Sequence, residues 1–153
     1  MTDVHLGRSK RARVAYSFDD VAVAPSRRTR DPRECAVSWR LDAYPFDLPV
    51  MAAPTDSVVS PTSAAQIGAL GGLPVLNLEG LWTRYEHPEA LLAQIAEMPL
   101  DAATPVLQEI YSAPIRPDLI TARIAELRAL GITVAGALSP QRTDEHVDTV
   151  MSA

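Results

Sequence analysis

Pro49-Val50-Met51-Ala52-Ala53 is a short unbroken apolar run, followed by Pro54-Thr55-Asp56, by Ser60-Pro61, and by a stretch holding Ala64, Ala65, Ile67, Gly68 and Leu70. Gly71-Gly72 and a second apolar run, Leu73 to Asn77, come next. An apolar run of this length suits a strand buried on both faces, although periodicity alone does not separate it from a buried helical segment. The flanking residues decide. Ser60 is an N-cap residue, and Pro61 fits the first helical position because its φ is already helical and its missing N–H has no intrahelical partner. The small residues after it give a face that packs closely on a sheet, and the glycine pair ends the helix near Leu70. Strand, helix and strand joined by tight turns make a βαβ unit, which requires parallel strands and a right-handed crossover.

Reading onward, Pro88 opens a helical piece in which Leu91, Leu92, Ile95 and Met98 recur at helical spacing until Pro99 closes it. Thr104-Pro105 opens a second, with Leu107, Ile110 and Tyr111 on one side. Pro117-Asp118 opens a third, whose stripe is Leu119 or Ile120, Ile124, Leu127 and Leu130, with Gly131 where a C′ glycine belongs. Ile132 to Ala137 reads as a third buried strand, and Ser139-Pro140 caps a last helix containing Val147, Val150 and Met151. Reading backward, Phe18 to Ala24 and Ala36 to Leu41 are expected as short strands of an early hairpin, joined by the polar loop Ser26 to Glu34.

The chain has 153 residues, enough for one domain with its own core, and 47% of them are hydrophobic. No apolar run approaches the ~20 residues of a membrane helix, and the start has charges but no uninterrupted apolar stretch, so neither a membrane span nor a signal peptide is expected. A cytoplasmic location is the default expectation. Residues 1–42 hold nine Lys/Arg against six Asp/Glu, whereas 43–153 hold five against thirteen. The cluster Arg27-Arg28-Thr29-Arg30 with Arg33 is the one candidate for nucleic acid. Asp31 and Glu34 interrupt it, no aromatic residue lies between Phe18 and Trp39, and the net charge is −5, so no nucleic-acid partner is expected.

Candidate chemistry is sparse. Met51 to Asp56 places small residues, a proline and a carboxylate at the C-terminal end of the first parallel strand, the end where ligands bind in such folds. The plain alternative is that Ala52 and Ala53 pack and Asp56 caps a turn. Asn77 ends the second strand, as a ligand contact or as a turn residue. Gly68, Gly71 and Gly72 lack the dinucleotide spacing and end a helix rather than begin one. His5, His87 and His146 share no ligand spacing, so no metal is expected, and His146 beside Asp144, Glu145 and Asp148 reads as a surface cluster. Cys35 is the single cysteine; it excludes an internal disulfide and reads as structural.

Three spaced segments, Tyr16 to Ser26, Leu48 to Asp56 and Gly71 to Asn77, resemble the opening of the IMP dehydrogenase and GMP reductase family. Ser26 to Arg30, Gln108-Glu109-Ile110-Tyr111 and Ser139-Pro140-Gln141 resemble segments of the IMP dehydrogenase-related subgroup that lacks CBS domains. The resemblance implies an α/β fold, the N-terminal portion of a (β/α)8 TIM barrel: a leading β-hairpin and about three βα units. Residues 1–153 are then one partial barrel domain with no CBS domain, 1–48 forming an arm and hairpin and 49–153 the first three units. A complete barrel needs ~250 residues.

The resemblance further implies a purine-nucleotide oxidoreductase that converts IMP to XMP with NAD in guanine nucleotide biosynthesis, or a GMP reductase-like parent. A homo-oligomer is implied for the complete protein. In that family a cysteine bonds to purine C2, hydride leaves for the nicotinamide, and a flap supplies the base for water. Cys35 does not match that cysteine, so no catalytic residue is assigned and the chain is expected to be inactive alone. Four positions carry over as adjacent to substrate or cofactor. Ala53 stands where serine is usual and Thr55 where methionine is usual; Asp56 is the retained aspartate, and Asn77 replaces a common histidine near the dinucleotide. Pro74 replaces a usual glycine and removes a backbone donor. The alternative is a non-catalytic module that self-associates through open barrel edges.

Overall fold

A computed structural model describes residues 3–6, 8, 10–24 and 30–153 of the chain. They belong to two compact units, Met1–Ala36 and Val37–Ala153. In the first, β1 (Asp3–Leu6) and β2 (Lys10–Arg13) form an antiparallel pair with Asp3 opposite Arg13. This hairpin is not legible in the sequence, since its charged residues mask any alternation. The expected strand Phe18 to Ala24 does not form. Phe18–Asp20 is a single 3-10 turn, because the Ser17 N–H and hydroxyl both donate to Asp20 Oδ2, at 2.9 and 2.8 Å, and this local closure replaces extended pairing. A second 3-10 turn, Pro32–Glu34, starts at Asp31, whose side chain accepts from the Arg33 N–H. Arg30 and Arg33 of the basic cluster are exposed; Arg27, Arg28 and Thr29 lie outside the described residues.

The hairpin that does form near the expected one is shifted along the chain. In the Val37–Ala153 unit, β3 (Trp39–Leu41) pairs antiparallel with β4 (Tyr44–Phe46) around Asp42, which takes φ +52. Asp tolerates that left-handed conformation better than most residues. Trp39 stacks on Phe46 with ring centroids 4.8 Å apart, and its indole N–H donates to the Leu48 carbonyl at 2.8 Å.

From there the βαβ reading holds. β5 (Met51–Ala52) is followed by α1 (Pro61–Ala69) and β6 (Leu73–Asn77). Ser60 caps α1 reciprocally with Ser63: the Ser63 N–H donates to Ser60 Oγ at 3.1 Å and the Ser60 N–H to Ser63 Oγ at 2.8 Å. Gly71 ends it at φ +82, a conformation that penalises any side chain. Three helices then intervene, α2 (Glu89–Glu97), α3 (Leu100–Ile110) and α4 (Pro117–Ala129), before β7 (Ala135–Ala137) and α5 (Pro140–Ser152). Strands β5, β6 and β7 form a parallel sheet in that order, with Met51 beside Leu73 and Val75 beside Ala135.

Several expectations need correction. Pro105 lies inside α3 instead of opening it. The hydrogen bond it denies belongs to the Asp101 carbonyl, and both residues are exposed, so water can serve that carbonyl. Val50 and Met51 are exposed and β7 is only partly buried, because both outer strands have one neighbour among the described residues. Only β6, with Leu73, Pro74 and Leu76 buried, has the double burial expected of all three. Leu130 is exposed, past the end of the α4 stripe, while Gly131 takes φ +68 as a C′ glycine does. On α5, Val147 and Met151 are exposed, and His146, read as a surface residue, is 2% exposed.

The core lies between this sheet and the helices α1 and α4. Ala52, Val59, Ala64, Leu76, Leu78, Ile120, Ile124 and Leu127 form it, with Ile67, Ile115, Val134, Leu138, Val150 and Ala153 packed around. Each large side chain in it contributes about 1.5–3 kcal/mol by leaving water. This packing fixes the C-terminal ends of three parallel strands side by side.

Candidate functional site

At that edge the β5–α1 connection turns immediately. The Thr55 N–H donates to the Ala53 carbonyl at 2.8 Å, and the Thr55 carbonyl accepts from Val58 and Val59, both at 2.9 Å. The turn leaves Ala53 and Thr55 exposed and sends Asp56 inward, where it is 9% exposed. Asp56 Oδ2 accepts from the Leu81 N–H at 2.9 Å and from the Tyr111 hydroxyl at 2.6 Å. Its other oxygen lies against Gly80 and has no hydrogen-bond partner. Burial, then the hydrogen bond to Asp56 and its negative charge, push the Tyr111 hydroxyl well above the ordinary phenol range, against a smaller opposite pull from Arg84.

Asn77 behaves as a turn residue: its Oδ1 accepts from the Glu79 N–H at 3.0 Å, an Asx turn. Glu79 in turn accepts from the Ser139 N–H at the N-terminus of α5, so the ends of β6 and β7 are clamped together. Burial opposes its charge, but the Ser139 hydrogen bonds, with Arg142 and Arg84, outweigh it and hold the Glu79 carboxyl below its ordinary value. Thr83 is buried and its hydroxyl donates to the Leu78 carbonyl at 2.8 Å, while Arg84 donates to the Glu79 and Ala113 carbonyls. The loop after β6 is therefore rigidly held.

Beside it opens a cavity of about 590 Å³, between the β5–α1 loop, the 3-10 turn Leu81–Thr83 and α2. Of the four positions singled out in the sequence, Asp56 lines it; Ala53, Thr55 and Asn77 do not. Tyr111 stands in the sequence as a residue of an apolar helix side and of the segment Gln108 to Tyr111, with nothing to tie it to Asp56, and no local signal marks Gly80 or Trp82; the contacts of Tyr111 and Gly80 with Asp56 join residues more than twenty positions apart.

The described residues do not make a dinucleotide cradle. Gly68, Gly71 and Gly72 lie at the end of α1, and the N-terminus of α5 receives the Glu79 carboxylate. Cys35, the single cysteine, is exposed at the end of the Pro32–Glu34 turn in the Met1–Ala36 unit, so residues 37–153 contain no thiol. Among the described residues no three His, Cys, Asp or Glu side chains gather as metal ligands, and no helix is long and apolar enough to cross a membrane.

No protein-family model matches the chain. An uncharacterized oxidoreductase of Mycolicibacterium smegmatis is 42% identical to it over 155 residues, an alignment covering 98% of this chain and 41% of that protein. The crystal structure of an IMP dehydrogenase/GMP reductase-like protein from Corynebacterium glutamicum superposes with a TM-score of 0.83 at 40% identity, covering 98% of this chain and 42% of that one. In sequence and fold the chain matches the IMP dehydrogenase/GMP reductase superfamily. An inosine-5'-monophosphate dehydrogenase of Methanocaldococcus jannaschii, 33% identical over 66 residues, is a more distant relative that covers 43% of this chain and 13% of that one. The chain spans about two fifths of the length of the Mycolicibacterium smegmatis and Corynebacterium glutamicum proteins, which it matches over 98% of its own. The sequential parallel strands β5, β6 and β7 with their helices, superposing on 42% of that IMP dehydrogenase/GMP reductase-like protein, are consistent with part of a barrel.

Proposed function

We propose that this chain supplies the first three strand–helix units of a TIM barrel in a purine-nucleotide oxidoreductase, of the IMP dehydrogenase-related subgroup without CBS domains. The parent reaction is oxidation of IMP to XMP with NAD in the cytoplasm, or its GMP reductase-like counterpart, carried out by a homo-oligomer. The observation that carries this reading is the 40% identity and 0.83 TM-score over 98% of the chain to an IMP dehydrogenase/GMP reductase-like protein. Ala53 and Thr55, exposed at the end of β5, form the floor of the nucleotide site; Asp56 and Asn77 hold that floor through their turns. The covalent step needs the cysteine of that family, which Cys35, the one cysteine of the chain, does not match. The chain alone is therefore inactive.

The test is an assay of the 153-residue chain with IMP and NAD, and with GMP and NADPH, followed at 340 nm, together with amide NMR shifts on adding IMP or GMP. No turnover is expected, with shifts concentrated at Ala53, Thr55 and their neighbours. Turnover at rates ordinary for such enzymes would overturn the division of labour. Absence of any shift at those amides with either nucleotide at millimolar concentration would overturn the site. A second reading, self-association through barrel edges, is favoured by one observation: β5 and β7 each have an edge without a strand partner among the described residues. Sedimentation separates the two, since a monomer at high concentration excludes it.

A further inference from the structure

The connection from β6 to α4 leaves the sheet and returns to it through one hydrogen-bonded neck. Three consecutive residues of the outgoing chain meet the returning one. The Thr83 carbonyl accepts from the Arg116 N–H at 2.9 Å, the Arg84 guanidinium donates to the Ala113 carbonyl, and the Tyr85 hydroxyl donates to the Ile110 carbonyl at 2.8 Å. Arg123 of α4 donates to the Trp82 and Glu86 carbonyls, at 3.3 and 2.6 Å, and Tyr111 ties the returning side to Asp56. Thr83, Pro88 and Ile110 are buried. Both stems are thereby fixed to α4 and to the β5–α1 loop.

Beyond the neck the packing changes character. Among the described residues from Glu89 to Glu109 none is buried: Leu91, Leu92 and Ile95 of α2 and Val106 and Leu107 of α3 are only partly covered. In α4, by contrast, Leu119, Ile120, Ile124 and Leu127 are all buried. The apolar side of α2 does not rest on a packed layer. Leu92, Ile95 and Ala96 line the cavity of about 590 Å³, and Ser57 and Val58 of the β5–α1 loop line it too. A segment with few buried contacts, closed by a firm neck, is able to open by itself, because opening breaks little and the anchors stay in place. We propose that α2 and α3 form a lid that swings on this neck, away from the β5–α1 loop and back, and so opens and closes the cavity at the C-terminal edge of the sheet. Parallel α/β folds take their ligands at that edge.

Spin labels on two exposed residues, Gln66 of α1 and Gln94 of α2, report the motion by pulsed EPR, with Gln66→Cys and Gln94→Cys made in a Cys35→Ser background. A second pair, Gln66→Cys with Thr121→Cys on α4, is the control. The lid pair is expected to show two distance populations and the control pair one. Ala96→Trp, a wedge in the cavity wall, is expected to shift the lid pair toward its longer distance and leave the control pair unmoved. Hydrogen exchange of the unlabelled chain is expected to be roughly tenfold or more faster in residues 89–109 than in α4. A single narrow distance for the lid pair, equal spread in both pairs, a wedge without effect, or exchange in 89–109 as slow as in α4 overturns the inference. None of these measurements involves a nucleotide, so the lid stands or falls independently of the reaction proposed above.

Discussion

The Tyr111 hydroxyl donates a 2.6 Å hydrogen bond to Asp56 Oδ2, joining residues 55 positions apart. The same oxygen accepts from Leu81, so one carboxylate draws together the β5–α1 loop, the turn after β6 and the end of α3. The aspartate that the resemblance carries over is thus a side chain that faces inward and holds these loops together.

Replacing Tyr111 by Phe removes one of the two hydrogen bonds to Oδ2. Tyr111 is 36% exposed, which brings the loss down from the range for bonds to charged acceptors to that of an ordinary hydrogen bond, about 1–1.5 kcal/mol by urea unfolding. The pH dependence has a defined sign. A phenol raised in the folded state contributes its full stability below about pH 10, its ordinary value, and loses it as pH climbs toward the folded value. Wild type is expected to lose its advantage over Tyr111→Phe above pH 10; a difference that grows with pH contradicts the assignment.

Gly80 is required by contact, since a Cβ there would lie 2.0 Å from Asp56 Oδ1 and 2.6 Å from Oδ2. The carboxylate is pinned and has little room to retreat. Gly80→Ala is expected to destabilise by at least about 2 kcal/mol, the scale of overpacking and lost buried hydrogen bonds. In an Asp56→Ala background the same change should be much milder, and a double-mutant cycle that shows simple additivity would refute the contact.

Glu79 is held below its ordinary value of 4.5 by Ser139, Arg142 and Arg84, against the effect of burial. A carboxyl lowered in the folded state contributes stability above pH 4.5 that fades as pH falls through the folded value. Wild type should therefore be more stable than Glu79→Gln at pH 7, with the two converging on acidification below pH 4.5 in thermal melts. A difference independent of pH would mean that the clamp does not rest on the charge.

Ile120 is fully buried in α4 and packs in the core, whereas Leu130 is exposed although both fall on the expected stripe. Ile120→Ala is expected to cost about 2–5 kcal/mol and Leu130→Ala within about 0.5 kcal/mol, measured by chemical denaturation. Comparable losses at the two positions would contradict the burial pattern.

Where several local signals agreed, the sequence was explicit. Ser60-Pro61 and Gly71-Gly72 bracket α1, and β6 spans Leu73–Asn77 as read, because caps and breakers act within a few residues. Pairing partners were less legible. Trp39–Leu41 lies within a stretch that reads as a strand, but its partner is Tyr44–Phe46 and not Phe18 to Ala24, where the Ser17–Asp20 closure prevails. The charged neighbours of His146 point to a surface face, yet packing within the fold buries it.

The sequence by itself determined the βαβ unit, its parallel strands, and the edge at which Ala53, Thr55, Asp56 and Asn77 gather, because these follow from residue chemistry at short range. Only the tertiary structure decided what those residues do. Asp56 turns inward because Leu81 and Tyr111 arrive from 25 and 55 positions away to meet it, and the cavity lined by Asp56 and Trp82 exists only once α2 lies across the loop. Such contacts depend on how helices dock on the sheet, and no spacing along the chain encodes them.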